Sequence, residues 1–328
     1  MQSFCVTLTP LSAFATPMKG DTLFGQLCWA IRNRLGETHL NACLEAYTHD
    51  RPFAVLSDAF PEGFLPLPKL PSGFYCPIEG EDRKAIKKRS WLPVQAIEKP
   101  IDVWLENAMT PAAIAAGYSK GLSNLSEKHP QPHNSINRQT NTTGKDGFAP
   151  YSIEQEWFIP GLRWTVYLLL DTGRLSAEDC HQCLSDIGAI GFGRDASIGL
   201  GKFSVDAFNS VSLPEQQSSN ACLTLAPCAP QGLGFDGQNS FYQLFTRFGR
   251  HGDIAVQQEG KPFKNPVLLA QTAAVFATKP PGLGFIGQGI GGKGQLSKTL
   301  PATVQQGYAP VIGVRLCRSD TLSRPEGL

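Results

Sequence analysis

Between residues 191 and 201 the chain carries four glycines in eleven positions, Gly191, Gly193, Gly199 and Gly201. A helical spacing precedes them, with Leu175, Cys180, Cys183, Leu184 and Ile187 on one face, and a strand pattern around Phe203–Ala207 follows. Glycine removes the Cβ that restricts backbone paths. The segment is therefore a sharp helix-to-strand connection whose amides can approach an anion closely. The order also excludes a chemistry. Gly191-x-Gly193-x-x-Ala196 fits a relaxed dinucleotide fingerprint, but that fingerprint leaves a strand and opens a helix, the reverse of what stands here. Gly287-x-Gly289-x-x-Gly292 has no clear strand–helix pair around it either. No nucleotide cofactor, and no cofactor of any kind, is expected.

The rest of the chain supplies partners for that connection. Phe4, Val6 and Leu8 alternate with polar residues as in a half-buried strand. A helix is predicted from Thr22 to about Leu35, with Asp21 as its cap and Gly36 at its end. Residues 50–77 are proline-rich and read as a long ordered loop. Residues 119–150 are polar and read as an exposed, mobile insertion. Glu156–Leu170 resumes a strand pattern. With one more strand inside the insertion, the order is strand, helix, strand, strand, helix, strand, that of a ferredoxin-like unit ending near residue 208. Residues 209–220 read as a linker. Beyond them, strand-like segments at Ala221–Pro227, Pro266–Thr278 and Tyr308–Leu316 and a glycine-rich loop at 282–294 suggest a second, less regular α+β domain.

Composition narrows the function. Lys+Arg total 29 and Asp+Glu 28, so the surface as a whole is not a basic field, and any nucleic-acid site must be a local patch. The first residues carry no basic segment and no long apolar run, so neither a signal peptide nor a membrane span is expected. Nine cysteines scattered among apolar neighbours suit reduced, buried thiols in a cytoplasm.

Three segments could hold RNA. In the glycine loop, Arg194, Ser197 and Lys202 add charge and donors to backbone amides. Residues 133–144 pack His133, Asn134, Asn137 and Arg138 among hydroxyls and amides with no acid, side chains that suit phosphate, sugar and base edges. Lys19 stands at a helix start, where backbone N–H groups favour anions. The basic run Arg83–Arg89 reads more simply as a solvated face. Catalytic patterns are poor. Cys180-x-x-Cys183 lacks the second pair that a structural zinc needs. His129 and His133 have no evident acid–base partner, and no Walker, zincin or serine-elbow motif occurs. The chain reads as no enzyme.

These blocks carry a resemblance. Phe14–Ile31 (FATPMKGDTLFGQLCWAI), Pro52–Leu70, His133–Gly144, Gly191–Phe203, Gly260–Phe276 and Gln305–Leu316 together resemble the fourth Csm subunit of type III-A CRISPR complexes, a group of the RAMP superfamily. The resemblance implies two ferredoxin-like (RRM-like) domains with long loop insertions, the second degenerate. They would fall at 1–208, with an insertion at about 50–150, and at 209–328. It implies a non-catalytic role in antiviral defence, holding the repeat-derived 5′ handle of the crRNA. The implied protein partners are the large palm-domain subunit and a backbone RAMP subunit, with no homo-oligomer. Lys19, His133, Asn134, Asn137, Arg138, Gly191, Gly193, Arg194, Ser197, Gly199, Gly201 and Lys202 are the expected RNA contacts. A RAMP endoribonuclease using His133, or a purely architectural subunit, are the alternatives.

Overall fold

The computed structural model describes residues 1–80, 82–144, 148–252, 262–278, 282 and 284–317. The first part of the chain runs β1 (Gln2–Pro10), α1 (Gly20–Leu35), α2 (Glu37–Leu44), β2 (Ala54–Leu56), β3 (Phe60–Pro61), β4 (Phe64–Pro66), α3 (Arg83–Ile86), β5 (Trp91–Pro93), α4 (Trp104–Asn107), α5 (Pro111–Tyr118), β6 (Ser126–His133), β7 (Tyr151–Phe158), β8 (Trp164–Leu170), α6 (Ala177–Ile190) and β9 (Phe203–Ser210). The second part runs β10 (Ala221–Thr224), β11 (Asp236–Phe241), β12 (Leu244–Arg247), β13 (Val267–Ala270), β14 (Val275–Ala277), β15 (Phe285–Gly291) and β16 (Val304–Val314). No helix among the described residues is long and apolar enough to cross a membrane.

The first sheet has the order β2-β8-β1-β9, all antiparallel, with β3 also paired to β8. Strand side chains alternate between faces. Phe4, Val6 and Leu8 of β1 accordingly share one core with Leu23, Phe24, Leu27 and Ile31 of α1 and with Cys180, Cys183, Leu184 and Ile187 of α6. β8 is buried along its whole length, and its Tyr167 belongs to a second core on the opposite side.

That second core joins the two parts of the chain. The second sheet has the order β11-β14-β10-β16-β15. On one face Leu223, Leu225, Val275, Ile312 and Val314 pack against Leu65, Phe74, Leu92, Ile97, Ile101 and Trp104, all from the 50–118 insertion. Cys222, Phe276, Ile286, Ala309 and Val311 form a separate core on the other face. Among the described residues of 209–317 none is helical, so the helices expected of an α+β second unit are absent there. The insertion covers the sheet instead. The joint is also polar. The Gln306 side chain accepts from Leu56 N at 2.9 Å and donates to Leu56 O at 2.8 Å, so one amide completes the backbone bonding of β2. Tyr308 donates to Tyr47 O at 2.7 Å.

Several local expectations change. The 119–150 insertion contains β6, which pairs with β7 from Ser126↔Phe158 to His133↔Tyr151. Its sequence hides it. Most of β6 is exposed, so no apolar alternation is needed, and Pro130 and Pro132 read as breakers although an open edge tolerates them. The 50–77 segment holds three short strands rather than only a loop. Glu156–Leu170 is two strands broken at a turn with Gly161 at φ 81°, and Pro266–Thr278 is likewise split into β13 and β14. Part of the 282–294 glycine loop is strand β15. Helix α1 starts two residues early, and its N-cap is Lys19, with no side-chain bond to the helix. Asp21 is not the cap: it lies in the first turn, buried, and pairs with Arg247. Nine cysteines are free, and five are buried. Lys145–Gly147 of the polar insertion, Gly260–Lys261 of the resembling block and Leu283 lie outside the described residues.

Candidate nucleic-acid interface

The loop joining β1 to α1, residues 11–19, ends in Lys19, docks the glycine loop and holds the root of the β6–β7 hairpin, whose far end carries residues 133–144. Its Ser12 hydroxyl accepts from Lys202 N at 2.9 Å, its Ala13 carbonyl from Gly201 N at 2.8 Å, and its Thr16 hydroxyl from Arg194 N at 2.9 Å. These bonds dock the glycine loop. Phe14 exchanges backbone bonds with Glu156, both at 2.9 Å, which fixes the root of the β6–β7 hairpin. The Phe14 ring packs edge-on against Phe158 and Trp164 and also meets Phe192 of the glycine loop. At the loop's end Lys19 opens α1.

Lys19 is held in place. Its ammonium pairs with buried Asp58 at 2.7 Å. The same carboxylate accepts from Gly20 N at 2.9 Å and from Thr272 Oγ1 at 2.5 Å. Asp58 thus supplies the anion that an α-helix start favours, from a neighbouring loop instead of the cap position. A Cβ on Gly20 would sit 2.2 Å from Leu56 O, so only glycine lets α1 approach β2 this closely. Lys19 keeps part of its side chain exposed.

The glycine loop is more self-occupied than its composition suggests. Phe192 N bonds Gly201 O at 2.8 Å, and Ile198 N and Leu200 N bond Asp195 O at 3.1 and 3.3 Å. A Cβ on Gly201, at φ 73°, would lie 2.1 Å from Phe192 O. Gly191 and Gly193 are equally crowded, against Leu200 O and Thr16, whereas Gly199 faces open space. Three of the four glycines thus serve internal packing. The Asp195, Ala196 and Ser197 amides are left without a partner among the described residues. Arg194 and Lys202 are exposed, as is Ser197. The Arg194 guanidinium pairs with Asp195 at 3.1 Å, which offsets part of its charge.

At the far end of the hairpin, His133 stacks on Tyr151 with centroids 5.3 Å apart and planes 13° apart. Asn137 closes a turn: its side-chain oxygen accepts from Gln139 N at 2.9 Å and its backbone pairs with Thr142. Asn134 and Arg138 are exposed. Sequence reasoning missed Ser12, Phe14, Thr16 and Asp58, which position the predicted residues. None carries a motif; their roles exist only once distant segments meet.

The other sequence features are structural. Arg89 donates to the carbonyls of Leu105 and Glu106 at 2.8 and 2.9 Å, while Arg83, Lys84, Lys87 and Lys88 are exposed. Cys180 and Cys183 are buried, and burial raises both thiols. No group of three or more side chains suited to a metal occurs among the described residues.

The architecture defines a class, a mixed α and β protein of two antiparallel sheets bridged by an insertion, with a glycine loop between α6 and β9 of the first. Solved structures share it across nearly the whole chain. A crystal structure of a Csm1-Csm4 cassette in complex with pppApA matches with a TM-score of 0.59 at 15% identity, covering 97% of this chain and 100% of that one. A crystal structure of a Csm3-Csm4 subcomplex of the type III-A CRISPR-Cas interference complex matches at 0.60 and 14%, covering 96% and 100%. A Csm1-Csm4 cassette in complex with cA4 matches at 0.58 and 15%. The subunit common to these assemblies is Csm4, and this chain has the Csm4 fold. No protein-family model matches the chain, and no curated protein does.

Proposed function

We propose that this chain is the Csm4-like, non-catalytic subunit of a type III-A CRISPR effector complex, which holds the repeat-derived 5′ handle of the crRNA. In this reading it bridges a large polymerase-like subunit and a backbone subunit in the cytoplasm. The β1–α1–β2–β8–α6–β9 sheet is read as a ferredoxin-like unit, with 209–328 as a degenerate second one.

The observation that carries the reading is that one loop, residues 11–19, holds Lys19, the glycine loop and the root of the hairpin that bears the polar segment 133–144 at its far end. A single-stranded handle offers phosphates along its length and bases free to stack. Arg194 and Lys202 supply charge beside the open amides of Asp195, Ala196 and Ser197. The hairpin supplies Asn134, Asn137 and Arg138 for sugars and base edges, and the His133–Tyr151 stack supplies an aromatic surface. Phosphate contacts give most of the affinity and the few base contacts give the selection.

The test is to sequence the RNA that co-purifies with a tagged copy from its own cells. Guide RNAs with one uniform repeat-derived 5′ end are expected. An Arg138→Ala, Lys202→Ala double variant should lose handle protection. Its RNA affinity should also become less salt-dependent, by about 0.7 in log–log slope for each lost phosphate contact. An intact assembly carrying no guide RNA would sink the reading.

A further inference from the structure

The β12–β13 ribbon is a two-faced element. Its register pairs Leu244↔Ala270, Phe245↔Leu269, Thr246↔Leu268 and Arg247↔Val267. The pairing continues beyond the strands through the bridge Arg250↔Phe263 and through His251 N to Pro262 O and Lys264 N to Gly249 O, both 2.8 Å. Residues 244, 246, 248 and 250 therefore face one way, and on the other strand the register slips by one between Val267 and Phe263, so that Phe263 and Leu268 share that face.

The inner face is docked. Arg247 makes two bonds to Asp21 of α1, at 2.7 and 3.0 Å. Leu269 is fully buried, and buried His251 bonds Ser297 at 2.8 Å. A Cβ on Gly252 would touch the Trp29 indole of α1 at 3.4 Å.

The outer face is Leu244, Thr246, Phe248, Arg250, Phe263, Asn265 and Leu268. Four of these are large apolar side chains with relative exposures of 52% (Leu244), 74% (Phe248), 63% (Phe263) and 49% (Leu268). The Arg250 guanidinium lies over the Phe263 ring, 5.9 Å from its centroid. No acid stands on this face among the described residues. Apolar residues left in water add nothing to the stability of the isolated chain, and their clustering on one face marks an interaction site. Aromatics and arginine with no Lys, Asp or Glu is the composition of the centre of a protein–protein interface.

We infer that the outer face of the β12–β13 ribbon docks another protein, whose surface offers apolar side chains and a carboxylate placed to meet Arg250. The inference rests on the assembly role proposed above. A second copy does not fit, since among its described residues this face carries a cation and no anion to answer it. Nucleic acid does not fit either, because its affinity comes from several phosphate-neutralising cations and the described residues of this face supply one. Burying two or more of the Phe and Leu side chains, with Arg250 desolvated against a carboxylate, makes a small hot-spot cluster.

The experiment uses the full chain with the large and backbone subunits of its own complex and their guide RNA. A Phe248→Ser, Leu268→Ser double variant should keep the melting temperature and the RNA affinity of the isolated chain. Its affinity for one of the two protein subunits should fall by tenfold or more, on the order of a hot-spot loss. Arg250→Glu, a change at an exposed site that the fold tolerates, should weaken the same subunit and no other. Unchanged affinity for both subunits in both variants overturns the docking surface and leaves the RNA reading standing. Loss of RNA affinity with protein affinity intact makes nucleic acid the occupant and overturns it. So does a wild-type dimer that the double variant abolishes. A wild-type chain that binds neither subunit overturns both readings.

Discussion

Two hairpins carry the exposed chemistry of this molecule, and they are built in opposite ways. The β6–β7 hairpin shows mostly polar side chains to solvent, among them Lys128, His129, Gln131 and Glu154, beside the exposed rings of Tyr151 and Trp157, and of its strands only Ile153 and Gln155 are buried. The β12–β13 ribbon shows phenylalanines, leucines and one cation, Arg250, outward and turns Arg247 inward against buried Asp21. The first is rooted by an aromatic cluster around Phe14, the second by a buried ion pair. A polar finger on an apolar root suits a hydrated polymer such as RNA. An apolar face on a charged root suits a folded protein surface. The lesson is that anchor and exposed surface are independent variables, so neither hairpin's partner can be read from what holds it down.

Phe14→Ala tests the first root and should have the largest effect. Phe14 is buried against Phe158, Trp164 and Phe192, and deleting such a ring costs about 3–5 kcal/mol. Calorimetry should show a clear loss of melting temperature, with amide exchange rising in β6–β7 more than in β12–β13. Equal loosening of both hairpins would break the comparison.

Arg247→Ala tests the second root. It strands Asp21 without its partner, and breaking a buried pair in this way costs about 3 kcal/mol near neutral pH. Burial already raises the Asp21 carboxyl above its ordinary value, against the opposing pull of Arg247. Removing the guanidinium raises it further. A group whose folded pKa exceeds its unfolded one favours the folded chain as pH falls through the folded value. The variant's deficit should therefore shrink on mild acidification, as denaturant melts at two pH values would show. A deficit that grows in acid would mean the pair is not what anchors the ribbon.

Asn137→Ala should have the smallest effect. It removes one exposed turn-closing bond at the hairpin end, worth less than about 1 kcal/mol. Global melting should barely move, while amide exchange of residues 137–142 rises. A large shift in melting would mean the polar hairpin contributes to the body's stability, contrary to its exposure.

What the sequence revealed followed its apolar periodicity. The spacing of Leu23, Phe24, Leu27 and Ile31 located α1, and Cys180, Cys183, Leu184 and Ile187 located α6, because each stripe faces one core. The alternation of Phe4, Val6 and Leu8 located β1. β6 was illegible because a solvated hairpin needs no such stripe. The turn within Pro266–Thr278 was illegible because Ala273, at φ 67°, gives no sign of adopting a left-handed conformation. In the candidate interface, the glycines were legible but their work was not. Gly201 touches Phe192 O, a contact set by the folding back of the loop and carried by no local signal. Asp21 looked like a cap because its natural use at a helix start is local, while its real partner lies 226 positions away.

The place of β16 in the structure sets an order of events during synthesis. Residues 304–314 are the last of the described strands to leave the ribosome, yet they lie between β10 and β15 in the second sheet and press against α1. Until they emerge, Leu56 lacks the Gln306 amide, Tyr47 O lacks the Tyr308 hydroxyl, and the apolar insertion faces a sheet that lacks the strand between β10 and β15. The nascent chain must therefore wait, partly assembled, for its final strand. The first sheet pairs its strands without any of these residues, so what waits is the joint between the two sheets, and a chaperone that shields the insertion during translation would act while that joint is open.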